Sequence, residues 1–528
     1  MSATRALTVR ALADSRARTA SFALLFAAVA AAQVVGYRDS YPTRADRIAF
    51  ARTFGDNNAV RLFYGVPHDL LSVGGYVSWR VGGFMSLFAA IWGVLAALRA
   101  LRSEEDTGRH ELVLAGPVSR RRVFLSALVA IAIGAAILWC AMFAGLVLTR
   151  LPLQGAAFLA LAVVSPIPVF VGVGALASQL APNRRLALSL SLSVVGIAFA
   201  LRVIADTTTG TGWLRWATPL GWVEELRAFA GPRPAVLMLS PCVAIALLAV
   251  AMAIALRRDV GSGVLQTRDA SEPRLALLSS PLAQALRGEV GTLIAWLAGV
   301  GLFAFVVGVI SDSFASGLSS KMQHDLAKLG GASLLSATGA LSFYFVFFVL
   351  VISLFMSAQI VAARHEEAEQ RLETLFASPV SRRRWLAGRL LLAIGGASAL
   401  ALAAGALAWA GAASQSADVS LARMLEAGAN CLPAAILFLA LACLAFAVIP
   451  RATTTVAYGV VVAAFIWNLL GELLGAPAWT LGLSPFQHVG LVPIHAFRLP
   501  AAAAMLAIAA LAVAASIAVF ERRDLTGA

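Results

Sequence analysis

Residues Arg102 to Arg122 read RSEEDTGRHELVLAGPVSRRR, and Arg364 to Arg384, 262 positions further on, read RHEEAEQRLETLFASPVSRRR. Laid over one another they agree at 12 of 21 positions. The matches are Arg102 with Arg364, Glu104 with Glu366, Glu105 with Glu367, Arg109 with Arg371, Glu111 with Glu373, Ala115 with Ala377, and the closing Pro-Val-Ser-Arg-Arg-Arg that starts at Pro117 and Pro379. Each copy is the most highly charged stretch of its half, and each lies between two long apolar runs. Chance does not place two such similar polar segments in Ala- and Leu-rich surroundings, so the chain reads as an internal duplication. The flanking runs are long enough to span a bilayer, which predicts a membrane protein whose halves each present one polar element to the cytoplasm.

The surrounding composition agrees. Of 528 residues 60% are hydrophobic and 13% charged, with a mean hydropathy of +0.85. A soluble domain carries roughly 25% charged residues, and no polar stretch here approaches the roughly 100 residues of a soluble catalytic domain. Runs of about 20 mostly apolar residues predict an all-α protein with twelve transmembrane helices, near 20–36, 81–101, 123–148, 156–179, 186–205, 235–256, 290–310, 340–362, 385–410, 432–449, 453–471 and 501–520. If these helices alternate, Arg5 to Arg18, both charged stretches, Arg184 and Arg185, Arg257 and Arg258, and Arg522 and Arg523 all fall on one side. By the positive-inside rule both termini are cytoplasmic.

A net charge of +14 would suit a nucleic-acid partner, but the arginines form short clusters at the ends of apolar runs. No basic face is long enough to follow a phosphate backbone, so none is expected. Cys140, Cys242, Cys431 and Cys443 form no CxxC pair and read as packing residues, with no metal site implied. A P-loop needs Gly-Lys followed by Ser or Thr, whereas the only lysines, Lys321 and Lys328, precede Met322 and Leu329. The chain is therefore expected to hold no cofactor and no catalytic residue, and any ATP hydrolysis must come from another subunit.

The duplication extends past the charged stretches. Arg257-Arg258-Asp259 matches Arg522-Arg523-Asp524, and Thr218-Pro219 matches Ser484-Pro485, in constant order. This gives two tandem six-helix halves in the same orientation, 1–262 and 290–528, joined by a linker at 263–289. The linker leucines Leu275, Leu277, Leu278, Leu282 and Leu286 could lie on the inner leaflet as an amphipathic helix, as could residues 4–18; an ordinary polar linker is the alternative.

Within the second copy, Glu366 to Phe376 has no helix breaker, which predicts one short helix with an apolar stripe of Leu372, Leu375 and Phe376. The first copy has His110 in place of Leu372. Pro117 and Pro379 stop that helix, Ser119 and Ser381 cap the next, and the arginines anchor it at the headgroups. Acidic residues contribute little to topology, so a charged helix with a narrow apolar stripe suits a groove on a soluble partner.

The pattern Glu104, Arg109, Glu111, Pro117-Val118-Ser119-Arg120, with its second copy at Glu366, Arg371, Glu373 and Pro379, resembles the loop between the second and third helices of ABC-2 type exporter permeases. The fused twelve-helix layout is similar to actinobacterial permeases for polyketide antibiotics, the tetronasin type. The resemblance implies that Glu104, Glu105, Arg109, Glu111, Glu366, Glu367, Arg371 and Glu373 contact the ATPase. It further implies two copies of a cytoplasmic ATPase binding ATP and Mg, no second permease copy, a hydrophobic or amphipathic antibiotic-like substrate, and a bacterial cell membrane. Outer re-entrant elements would lie at 213–230 and 479–495, and helices 2 and 5 of each half would line the pathway at Phe84, Phe88, Phe199, Tyr344, Phe347 and Asn468.

The rival is an ion-coupled secondary multidrug transporter, for which two parallel halves are equally natural. Proton coupling needs ionisable groups inside the membrane, and the helix centres read as nearly uncharged, with Gln33, Gln359 and Asn468 their main polar residues and Glu472 at a helix end. Trp79, Trp213, Trp216, Trp222 and Trp479 are expected in an interfacial belt.

Overall fold

The computed structural model describes residues 3–55, 58–106, 108–208, 210–259, 263–265, 281–311, 336–377, 379–470 and 477–525. Lys321, Lys328, Glu472 and most of the linker, including Leu275, Leu277 and Leu278, lie outside the described residues. The chain divides into two compact units, one within Met1–Ser271 and the other within Glu272–Ala315 and Met322–Ala528.

The first unit runs through α1 (Ala3–Ser40), α2 (Arg44–Phe54), α3 (Asn58–Tyr64), α4 (Val73–Leu98), α5 (Arg109–Leu114), α6 (Arg120–Leu148), α7 (Leu153–Val164), α8 (Ile167–Leu180), α9 (Arg184–Thr207), α10 (Pro219–Glu225) and α11 (Leu239–Arg257). The second runs through α12 (Pro281–Ser311), α13 (Ala337–Ala368), α14 (Arg371–Phe376), α15 (Arg382–Ser414), α16 (Leu421–Ala429), α17 (Leu432–Val448), α18 (Thr453–Leu470) and α19 (Leu499–Arg522). Among the described residues, eleven helical stretches are long and apolar enough to cross a membrane. The expected span at 453–471 falls on α18, whose last expected residue lies outside the described residues.

One expectation at the helix starts is corrected: residues 4–18 form no separate interfacial helix, since α1 runs unbroken from Ala3. The reason is local, since residues 4–18 contain neither Gly nor Pro to end a turn. Of the linker, residues 281–289 open α12 at Pro281, and Leu275, Leu277 and Leu278 lie outside the described residues.

Inside the first unit α4 and α8 lie at the centre, α1 packs along α6, and α9 and α11 lie against α8. Inside the second unit α13 and α17 are central, α12 packs along α15, and α18 and α19 lie against α17. Small residues allow these close crossings. A Cβ at Gly145 would meet the Ala27 carbonyl oxygen at 2.6 Å, and one at Gly411 the Phe305 carbonyl oxygen at 2.0 Å.

Helix breaks follow proline. α7 and α8 are one apolar run interrupted before Ile167 and Pro168, and the Ser240 hydroxyl donates to the Ser165 carbonyl that the break frees. α16 and α17 part before Pro433, where Asn430 Nδ2 donates to the Gly490 carbonyl at 2.7 Å. The Ser240 hydroxyl is the kind of substitute that a broken spanning helix requires. Leu24, Ile197, Ile245, Leu391 and Leu511 point outward from mid-helix, each more than half exposed, which is the apolar exterior that lipid contact demands.

Candidate functional site

The two charged stretches do not form the single short helix expected over Glu366 to Phe376. α4 continues through a π-helical segment, Arg99–Ser103, into a last turn at Glu104–Asp106, and α13 continues to Ala368. The chain then reverses through one left-handed residue, Gly108 at φ 71° and Gln370 at φ 59°, before α5 and α14 begin. Glycine takes that conformation freely, whereas a residue with a Cβ is disfavoured by about 1–2 kcal/mol, so the Gly108/Gln370 mismatch sits at the one point of the loop where the two residue types differ most. The paired glutamates thus belong to the ends of long helices, and only Arg109 to Leu114 and Arg371 to Phe376 form the short ones.

Each loop is fastened by its own ionic clasp. Glu105 accepts from Arg258 at 2.6 Å and pairs with Arg102 at 3.3 Å, and Arg102 also holds Asp106 at 2.9 Å. Arg258 donates to Gln179 Oε1 at 2.7 Å, and Arg120 to the Arg258 carbonyl at 2.6 Å. In the second copy Glu367 pairs with Arg364 at 3.2 Å and Arg523 at 2.8 Å, Arg382 donates to the Arg523 carbonyl, and Glu366 pairs with Arg389. The Glu105 and Glu367 side chains are 8% and 1% exposed. These two glutamates, expected at a partner's surface, are turned inward because each is the counter-ion of the arginine that ends the last helix of its unit. Glu104 is partly exposed between Arg10 at 3.6 Å and Arg109 at 3.7 Å.

The apolar stripe is also turned inward. Leu372 is buried, Leu375 and Phe376 pack on the core of the second unit, and Phe376 meets Trp385 edge-on at 6.0 Å. What the short helices expose is Arg109, Glu111 and Leu112 in one copy and Arg371, Glu373 and Thr374 in the other. Pro117 and Pro379 are exposed just beyond. Ser119 and Ser381 accept from the backbone N–H groups of Arg122 and Arg384 at 3.4 and 3.3 Å, capping α6 and α15. His110 is half-buried beneath its loop. Burial holds its imidazole below the usual value, with Arg258 and Arg120 acting the same way against Glu105 and Glu104.

A second charged cluster, which the sequence reading missed, lies at the other end of α9. Arg202, fully buried, pairs with Asp206 and with Glu224 at 3.5 Å each, and donates to the carbonyls of Leu62, Phe63 and Gly83. Arg215 holds Asp206 at 2.6 Å and Glu224 at 3.5 Å. Burial pushes the Glu224 carboxyl well above its usual range, Arg202 opposing and Asp206 reinforcing. Beside it a cavity of about 30 Å³ touches Tyr64, His68 and Ser78, enough for a water. Arg202 falls inside the expected 186–205 span, so that span is not free of charge. Its i, i+4 spacing to Asp206 was the available signal.

A family model described as the C-terminal domain of the multidrug efflux system permease Rv1217c matches residues 49–257 and 278–521. The chain is also 32% identical over 506 residues to the multidrug efflux system permease protein Rv1217c of Mycobacterium tuberculosis (strain ATCC 25618 / H37Rv), covering 95% of this chain and 91% of that one. The chain belongs to this family of efflux permeases. It is a multi-pass membrane protein, and it is a transport subunit by family rather than an enzyme.

The remaining expected residues of the permease are distributed over both units. Phe84 and Phe88 meet edge-on at 5.0 Å on α4, and Phe199 on α9 lies under the Arg202 guanidinium at 5.0 Å. Tyr344 and Phe347 lie 6.5 Å apart on α13, Phe347 meets Phe465 at 5.5 Å, and Asn468 is half-buried on α18. Trp79 and Trp222 correct the interfacial-belt expectation, being buried with their ring N–H groups on the Gly65 and Trp216 carbonyls. Trp213, Trp216 and Trp479 are exposed.

Proposed function

We propose that the chain is the membrane subunit of an ATP-driven ABC-2 type exporter of hydrophobic or amphipathic drug-like compounds in the bacterial cell membrane. It comprises twelve helices in two tandem halves with cytoplasmic termini, and needs no second permease copy. Two cytoplasmic ATPase subunits, binding ATP and Mg, dock on the outward faces of α5 and α14 through Arg109, Glu111, Arg371 and Glu373, with Glu104 and Glu366 at the edge. Glu105 and Glu367 position these helices from within. What supports the reading is the duplicated clasp, which ties together the helix ends beside each short charged helix and leaves Glu111 and Glu373 outside it. Rigid support is what transmits a partner's movement into the spanning helices that end there. Exchanging Glu111→Arg and Glu373→Arg together is expected to abolish co-purification with the ATPase while stability stays within about 0.5 kcal/mol. Undiminished co-purification refutes the docking faces.

A second reading, ion-coupled efflux, is favoured by the buried Arg202, Asp206 and Glu224 cluster, since a buried carboxyl among charged partners is the type of group that can take up and release a proton. Efflux that persists without the ATPase, collapses with a protonophore and is lost in Glu224→Gln would select it over the ATP-driven reading.

A further inference from the structure

Beneath the first charged loop, walled by α1, α4, α5 and α6, lies a cavity of about 100 Å³. Its inner wall is apolar and buried, formed by Trp92, Ala127, Ala130 and Ile131. Its mouth carries Arg10, Arg18 and Arg99 against Asp14 and Glu104. Arg10 is matched, lying 3.8 Å from Asp14 and 3.6 Å from Glu104. Arg18 and Arg99 are not: among the described residues neither has a carboxylate within ion-pair distance or a hydrogen-bond partner, and the charged neighbours of Arg18 are Arg99 and Arg184. Guanidiniums gathered around a half-buried site repel one another unless an anion joins them.

The second copy explains why the space exists. In the register of the repeat Ala127 corresponds to Arg389. Arg389 is buried and brings its own guanidinium to Glu366 and, at 3.9 Å, to Glu289. Where the second unit places an arginine side chain between the helices, the first has a methyl group and a void. The first unit therefore has an open apolar wall below a cationic mouth, the two-part chemistry of an amphiphile site.

We propose that this cavity binds an anionic amphiphile, its phosphate or carboxylate head on Arg18 and Arg99 and its alkyl or aryl tail against Trp92 and Ala130. The site does not depend on the docking reading above. It is tested on the full-length protein in maltoside micelles by native mass spectrometry, with phosphatidylglycerol, phosphatidylcholine of the same chains, decyl phosphate and inorganic phosphate as probes. Phosphatidylglycerol should be retained at least tenfold over phosphatidylcholine. The double variant Arg18→Gln with Arg99→Gln should lose that preference, whereas Arg121→Gln with Arg122→Gln, at exposed arginines outside the cavity, should keep it. Ala127→Met fills the tail space without changing charge, at a position whose counterpart already holds a long side chain, and should weaken retention severalfold even if the arginine variant fails to fold. Competition by decyl phosphate identifies soluble organic anions as well as lipid as occupants, and its failure to compete assigns the site to bilayer lipid; both support an amphiphile. Equal retention of the two lipids, displacement by millimolar inorganic phosphate alone, or an unchanged Ala127→Met protein overturns it.

Discussion

The two units agree at one end and part at the other. At the charged-loop end Arg102, Glu105 and Arg258 repeat as Arg364, Glu367 and Arg523. Further along the chain the agreement reaches single hydrogen bonds. Thr218 Oγ1 donates to the Ala198 carbonyl and Ser484 Oγ to the Ala464 carbonyl, both at 2.9 Å, and Trp222 Nε1 and His488 Nε2 meet the Trp216 and Gly482 carbonyls at 2.7 Å. Yet in that register Arg202 corresponds to Asn468 and Glu224 to Gly490. The first unit has a buried ionic cluster where the second has a half-buried amide. The clasp cannot lose one member without stranding a buried charge, so a duplicated fold keeps it whole. At the other end Arg202 and Glu224 are both replaced, by Asn468 and Gly490, while Asp206 corresponds to Glu472, which lies outside the described residues.

Breaking the asymmetric cluster should have the largest effect. Arg202→Leu leaves the two buried carboxylates of Asp206 and Glu224 to Arg215 and removes the anchor of α3, at a cost of about 3–5 kcal/mol, whereas Asn468→Leu should cost about 1 kcal/mol or less; thermal unfolding in detergent compares the two. The shared clasp should give smaller and matched penalties. Glu105→Gln and Glu367→Gln should each cost about 1–3 kcal/mol, and double-mutant cycles with Arg258 and Arg523 should return similar couplings of about 0.5–3 kcal/mol. Strongly unequal couplings would break the equivalence of the loops. The smallest effect is pH dependence confined to the first loop. Because the His110 imidazole is held below its usual value, the folded state favours the neutral ring. Its contribution is present above about pH 6.5 and is lost as pH falls through the lowered value. Hydrogen exchange of α5 should rise over that window and α14, with Leu372, should not; His110→Leu should abolish the difference.

Much of this was legible in the chain. Twelve of 21 matching positions marked the loops, and the Ser119 and Ser381 caps follow from a Pro-x-Ser turn before an apolar run. The break at Gly108 and Gln370 was not legible in the second copy, because glutamine carries no turn signal and the left-handed residue is imposed by the need to fold α14 back on α13. Nor did the glutamates declare which of each pair faces inward, since Glu104 and Glu105 are adjacent and only the arrival of Arg258, 153 residues later, selects one. Arg202 was passed over because an apolar run tolerates one arginine in an average, while its burial depends on Asp206, Glu224 and three loop carbonyls converging on it.

Hydrophobic run length, arginine placement and internal repetition are properties of short windows, and by themselves they determined that the chain is helical, lies in a membrane and carries two similar charged loops. Which carboxylates are counter-ions, which face of α14 is outward, and that Ala127 leaves a cavity where Arg389 fills one depend on residues far apart in the chain. Only tertiary packing decides them, because desolvation and charge pairing are settled by neighbours in space.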